Sequence, residues 1–221
     1  MEKRKIIFGD YNTAVHGWTL TGWQLSAAEE KTNFIDKVSG DGSWDISTAL
    51  TDGIPRYKDR TLTATFECSE GNRTSREAVI RHMVNELDGT RVDIKLPDDP
   101  SHHINGRLHV ERQYNNLAHA AVTVTAICGP WKHANIEKVV ELNATPEPQT
   151  VRLINEGRRA VVPTLTVNQG STIAIEYDGA TLELTEGEYQ WPHLLLMRGH
   201  QPLTYSGIGS LRVSYREAVL E

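Results

Sequence analysis

Apolar and polar side chains alternate along much of this chain. Arg60-Thr61-Leu62-Thr63-Ala64-Thr65-Phe66-Glu67 puts every second residue on an apolar face, and Arg91-Val92-Asp93-Ile94-Lys95-Leu96 repeats the pattern until Pro97 stops it. Trp18 to Leu25 (interrupted at Gly22), Arg107 to Arg112 and Ala120 to Cys128 keep the same period, with Lys3 to Phe8, Asn33 to Val38 and Trp44 to Leu50 as shorter runs. Period two over such lengths predicts strands with one buried face. One segment departs from it. Thr74-Ser75-Arg76-Glu77 fits a capping box with Thr74 as N-cap, and Ala78, Val79, Met83, Val84 and Leu87 then share one helical face. Gly89 stands where a left-handed C-cap belongs. The spacing predicts a helix over about 75–87, whose apolar face must pack on the β-structure.

Gly129-Pro130 is expected to close the last strand of the first half, and the proline-rich stretch Ala144 to Gln149 marks an interdomain region over about 130–148, with Ile136 to Leu142 as a strand inside it. Short runs follow at Thr150 to Asn155, Val161 to Val167, Ile173 to Tyr177, Thr181 to Leu184 and Leu211 to Tyr215, with a loop at Gly187 and a hairpin signal at Asp178-Gly179. Frequent turns without a helix predict a small β-sandwich. The expectation is a mainly β chain with one helix and domains at 1–133 and 134–221. The final strand near 211–216 either stays in the sandwich or returns to the first domain.

Composition narrows the function. In 221 residues, 38% hydrophobic and 24% charged content is that of a globular protein rather than a disordered or fibrous one. No apolar stretch approaches the roughly 20 residues of a membrane helix. The apolar core near the N-terminus, Ile6-Ile7-Phe8, is too short for a signal peptide, which predicts a protein that stays in the cell that makes it. A net charge of −6, with no basic patch interleaved with aromatics, argues against gripping nucleic acid. The two cysteines, Cys68 and Cys128, each end a strand-like run and form no CxxC, so small buried hydrophobes are expected, with a bridge between adjacent strands as the alternative.

Candidate chemistry is thin. His102-His103 would point to opposite sides of an extended chain and reads as a solvated loop after Asp98-Asp99-Pro100 rather than a metal site. Asp98, Asp99, Glu183, Glu186 and Glu188 could supply a glycosidase pair, but they read as polar strand faces and turns. Asp41-Gly42 lacks the further acidic positions of a calcium loop, and Gly40-Asp41-Gly42 lacks the Lys-Ser/Thr of a phosphate loop. Ser39, Ser43 and Ser47 occupy no nucleophile elbow. No catalytic, cofactor-binding or metal-ligating residue is therefore assigned. Tyr189, Trp191 and Tyr205 could stack on a sugar ring, although Trp191 before Pro192-His193-Leu194-Leu195-Leu196 reads as a core residue.

Several stretches taken together resemble one family. They are the glycine turn and strand Val38 to Leu50, then Arg56-Tyr57-Lys58-Asp59 leading into Arg60 to Glu67, and Leu87 to Pro100 followed by Ile104 to Leu108. The exit Gly129-Pro130-Trp131-Lys132, then Asn155-Glu156-Gly157, Pro163, Trp191 and Leu211 to Arg216 complete the pattern. This order is similar to that of siphophage distal tail proteins. The resemblance implies a tail-tube-like β-sandwich or barrel domain followed by a small galectin-like sandwich. It also implies a structural virion component of a siphophage or prophage, without enzymatic activity or cofactor. Such a protein forms a baseplate hub at the tail tip, a homohexameric ring assembled in the host cytoplasm. The ring joins the tail tube protein to tail-associated and receptor-binding proteins and lets DNA pass. Glu67, Asp93, Lys95 and Arg107, on polar strand faces, are the candidates for ring interface or lumen. Six copies at −6 would carry on the order of −36, which lets DNA slide if part of that charge lines the channel. The alternatives are a major tail tube protein, which would polymerise into filaments, and a carbohydrate-binding sandwich protein.

Overall fold

A computed structural model describes residues 4–51 and 53–221. The chain is mainly β with one helix and divides into two units, Met1–Pro130 and Trp131–Glu221.

The strands of the first unit are β1 (Ile7–Phe8), β2 (Tyr11–Asn12), β3 (Thr19–Leu25), β4 (Phe34–Asp36), β5 (Ser43–Asp45), β6 (Arg60–Cys68), β7 (Arg91–Leu96), β8 (Asp99–Asn115) and β9 (Ala120–Ala134), the last running past the division. Helix α1 (Arg73–Leu87) lies between β6 and β7 in sequence. Seven of these strands pair in the order β2-β1-β7-β8-β9-β6-β3. Alternation is cleanest in β6, where Leu62, Ala64, Phe66 and Cys68 are buried and Thr61 and Thr63 are exposed. Phe8, Trp18, Ile94, Ile104, Leu108, Val122 and Val124 complete that face, and α1 adds Ile80, Met83 and Leu87. Each such side chain gains about 1.5–3 kcal/mol by burial, so the covered face of the sheet holds this unit together.

The helix begins earlier than its sequence signal. Asn72 is the N-cap, its Oδ1 accepting from the Ser75 amide at 2.9 Å, and Thr74 lies inside the first turn. No capping box forms, because the Glu77 carboxylate accepts instead from Arg112 at 2.8 Å and from Asn115 at 3.0 Å. The buried stripe is Arg76, Ile80, Met83 and Leu87, while Ala78 is exposed. At the other end Asp88 (φ −64°, ψ 130°) and Gly89 (φ 74°) form a type II turn closed by Thr90 N–H donating to Leu87 O at 3.1 Å. Gly89 thus takes a left-handed backbone, as its place in the sequence suggests.

Three other expectations change. Leu96 pairs with Asp99, so Pro97-Asp98 is a two-residue turn and β8 starts at once; His102 and His103 lie in a strand, not a loop. Of the run Trp44 to Leu50 only Trp44 and Asp45 are strand, as the end of β5, because the Asp45 carboxylate accepts from the Ser47 amide at 2.9 Å and turns the chain. Gly129-Pro130 does not end β9: the ladder to β6 already finishes at Cys128, so the missing Pro130 N–H costs no bond there.

In the second unit, β10 (Lys138–Ala144), β11 (Gln149–Asn155), β12 (Thr164–Val167), β13 (Thr172–Tyr177), β14 (Ala180–Leu184), β15 (Gly187–Gln190), β16 (Gly199–Tyr215) and β17 (Ala218–Val219) are all paired antiparallel. The long β16 belongs to two layers. Its first half pairs with β11 and β13, and β14 follows β13; its second half pairs with β10 and β12, and β15 follows β12. The change of layer falls at Gly207 (φ 134°) and Gly209 (φ 109°), where a Cβ would run into Thr172 O and the Ser171 side chain. Leu153, Leu165, Ile173, Ile175, Leu203, Leu211 and Val213 fill the space between the layers. Gly187, expected in a loop, opens β15. Residues Leu211 to Tyr215 are the second half of β16, and β17 pairs with His133 and Lys132 at the end of β9. Among the described residues no helix is long and apolar enough to cross a membrane.

Candidate assembly surfaces

Between the end of β3 at Leu25 and the start of β6 at Arg60 the chain leaves the sheet as a long arm. Its stem is held by Ser26 N–H donating to Thr61 O at 2.9 Å, by the Lys58–Glu29 ion pair at 3.1 Å and by a bridge between Glu30 and Tyr57. Beyond the stem, among the described residues β4 and β5 pair only with each other, Phe34 with Asp45 and Ile35 with Trp44. Phe34, Ile35 and Trp44 are 58%, 48% and 57% exposed, although large apolar side chains on a strand normally face a core. A two-stranded hairpin is marginal in water, and a cluster of exposed apolar groups marks a contact surface.

The face of the main sheet opposite α1 is open. Across β6 and β9 it presents Thr61, Thr63 and Thr65 opposite Ile127, Thr125 and Thr123. Across β7 and β8 it is charged: Arg91 pairs with Arg107 and Asp93 with Asn105, and Lys95 continues the row. The structure thus brings Asp93, Lys95 and Arg107 into one exposed strip. Asp93 accepts from Asn105 at 2.9 Å, with His103 Nε2 3.7 Å away, and Arg107 donates to Gly89 O at 3.0 Å. Glu67 lies apart on β6 and accepts from the Tyr114 hydroxyl at 3.1 Å. The signs in the charged strip are mixed.

Two groups at the helix junctions are held as carboxylates. A hydrogen bond from Asn115 holds Glu77 below the ordinary carboxylate range, with Arg112 and Arg81 adding to it. The Val110 amide, then His109, does the same for Asp88. These bonds fasten both ends of α1 to β8 rather than activating anything. Burial pushes the Cys128 thiol up to about 11, which makes it a poor nucleophile. Both cysteines are buried and free; Cys68 pairs with Ala120 and Cys128 with Arg60, at opposite ends of the same ladder, about 27 Å apart at strand rise.

In the second unit Tyr205 is a core residue, 8% exposed, while Tyr189 and Trp191 are partly buried against the same core. The Trp191 ring lies 5.2 Å from that of His193, which in turn lies 6.3 Å from Tyr177. His102 instead contacts Asp99 at 2.8 Å. Among the described residues no three His, Cys, Asp or Glu side chains are grouped to hold a metal. Periodicity did not mark the arm as exposed, because Phe34, Ile35 and Trp44 read like any half-buried strand; the density of glycine and aspartate between them is the signal that could have found it.

A curled antiparallel sheet carrying a single helix, followed by a small sandwich, is a fold this chain shares with a solved phage protein. One solved structure with this fold is the Dit (gp 19.1) protein of phage SPP1, described as a paradigm of hub adsorption apparatus in phages infecting Gram-positive hosts. It matches at a TM-score of 0.72 over 97% of this chain and 99% of that one, with 13% identity. At that identity the likeness is one of fold. No protein-family model and no curated protein matches the sequence.

Proposed function

We propose that this chain is a structural subunit of a phage tail hub. Copies join head to tail into a ring, with six as the expected number, at the distal end of the tail. The observation that carries this reading is the shared fold with the SPP1 hub protein along nearly the whole of both chains. The exposed arm supports it, since Phe34, Ile35 and Trp44 call for a partner. So does the open sheet face, where Glu67, Asp93, Lys95 and Arg107 are the candidates for subunit contacts or for the wall of a DNA channel. Under this reading the function is geometric. A rigid annulus binds the tube protein on one side and tail-associated or receptor-binding proteins on the other, the second unit offers a further docking face, and no reaction is catalysed. Such a protein would be assembled in the host cytoplasm and carried in the virion.

The test is electron microscopy of the purified chain together with its mass in solution. Closed rings of about six copies with an open centre are expected, because a heterologous interface whose rotation closes gives a cyclic assembly. Open-ended filaments would assign it to the tube instead. A strict monomer at high concentration would refute self-assembly, and glycan binding by the intact chain would then be measured.

A further inference from the structure

The arm leaves from β3, at one edge of the main sheet, while a cleft with opposite character lies toward the other edge, at β1 and β7. The cleft has a volume of about 370 Å³. Ile7, Leu96 and Pro97 give it an apolar floor, and Arg4, Lys5 and Lys95 line it with three cations. The arm carries the complement. Its hairpin exposes Phe34, Ile35, Val38 and Trp44, and its charged residues between 34 and 45 are Asp36, Asp41 and Asp45 against the single Lys37. Hydrogen bonds from Ser43 to Asp36 at 2.7 Å and from Ser47 to Asp45 at 2.9 Å fix two of the carboxylates in place. The hairpin is exposed, so it does not fill the cleft of its own chain.

We infer that the Phe34–Asp45 hairpin of one copy docks into the Arg4/Lys5/Lys95 cleft of the next, apolar side chains on the floor and carboxylates against the cations. This deepens the ring reading above and rests on it. Because donor and acceptor lie toward opposite edges of one sheet, each copy receives a hairpin on one side and offers one on the other. That is a heterologous contact, the type that builds rings. It gives the otherwise marginal β4–β5 pair a face to cover it, and the complementary charges fix the direction of docking.

Charge reversal tests this on the full chain. Lys95→Glu and Asp41→Lys change exposed residues, so thermal unfolding should stay unchanged. Each is expected to weaken self-association at least tenfold in sedimentation, since like charges then face each other. The double variant should recover most of that loss. Mixing the two single variants should restore rings of alternating copies, because the native hairpin then meets the native cleft and the reversed hairpin the reversed cleft. Rings of normal strength from both single variants would overturn the docking while leaving the hub reading intact. Loss in either single variant without recovery in the double would also overturn the pairing. A wild-type chain that never self-associates would refute the ring itself.

Discussion

Gly106 offers a sharp test of how the first unit is packed. It is buried in β8 opposite Val92, and its φ is ordinary, so backbone freedom is not the reason for a glycine. Space is. A Cβ there would come 2.6 Å from Cys128 Sγ, 3.2 Å from Ile94 Cδ1 and 3.3 Å from the Ile127 carbonyl oxygen. The sulfur is the hard clash; the other two neighbours need yield only a few tenths of an ångström. Overpacking of this kind costs about 1–3 kcal/mol. The stiffer unfolded chain of an alanine variant offsets about 0.4–1 kcal/mol of that. Gly106→Ala should therefore destabilise by about 1–2 kcal/mol, lowering Tm by about 2–8 °C in a chain of this size. Cys128→Ala alone should cost about 1–2 kcal/mol through lost packing. Together the two should cost less than their sum by at least about 1 kcal/mol, because the new methyl enters the space the sulfur leaves. Calorimetry of the four chains measures this cycle. Additivity within about 0.5 kcal/mol, or a Gly106→Ala variant more stable than the parent, would refute the assignment of the sulfur as the obstacle.

Arg76 is buried at 2% exposure and donates to Gly71 O at 2.6 Å, Asn116 O at 2.8 Å and Leu117 O at 3.1 Å; Arg76→Met should strand those carbonyls, cost about 2–4 kcal/mol and speed amide exchange at 116–119. Unchanged exchange there would show that the guanidinium does not hold the loop. Asn155, fully buried, donates to Arg159 O and Leu196 O at 2.8 Å and accepts from the Gly157 amide at 3.0 Å, so Asn155→Leu should cost about 2–4 kcal/mol in urea unfolding of the whole chain, and a smaller loss would mean water replaces it. The Cys128 thiol titrates near 11 when folded against an ordinary 9.0, so the folded chain keeps a proton that the unfolded chain loses between those values. Its contribution is complete below pH 9 and lost as pH rises toward 11, so stability should fall over that window more steeply in the parent than in Cys128→Ala; parallel curves would contradict the assignment.

Strand alternation and the single amphipathic helix were legible in the sequence, because each depends on neighbours a few positions apart. Leu62, Ala64 and Phe66 announce a buried face wherever the strand is placed. The rest depended on which segments meet. Arg76 is buried only because the loop at 116–117 folds over it, a contact about 40 positions away in the chain. Gly199, Pro202, Gly207 and Gly209 are parts of one strand, because a bend is what lets β16 serve two layers. Phe34, Ile35 and Trp44 carry the same pattern as a core strand and differ only in that about half of each is left exposed. Burial is a property of the partner surface as much as of the residue. Periodicity along this chain therefore determined where strands form and which of their faces are apolar, while the tertiary structure alone decided which apolar faces were covered and left the arm bare.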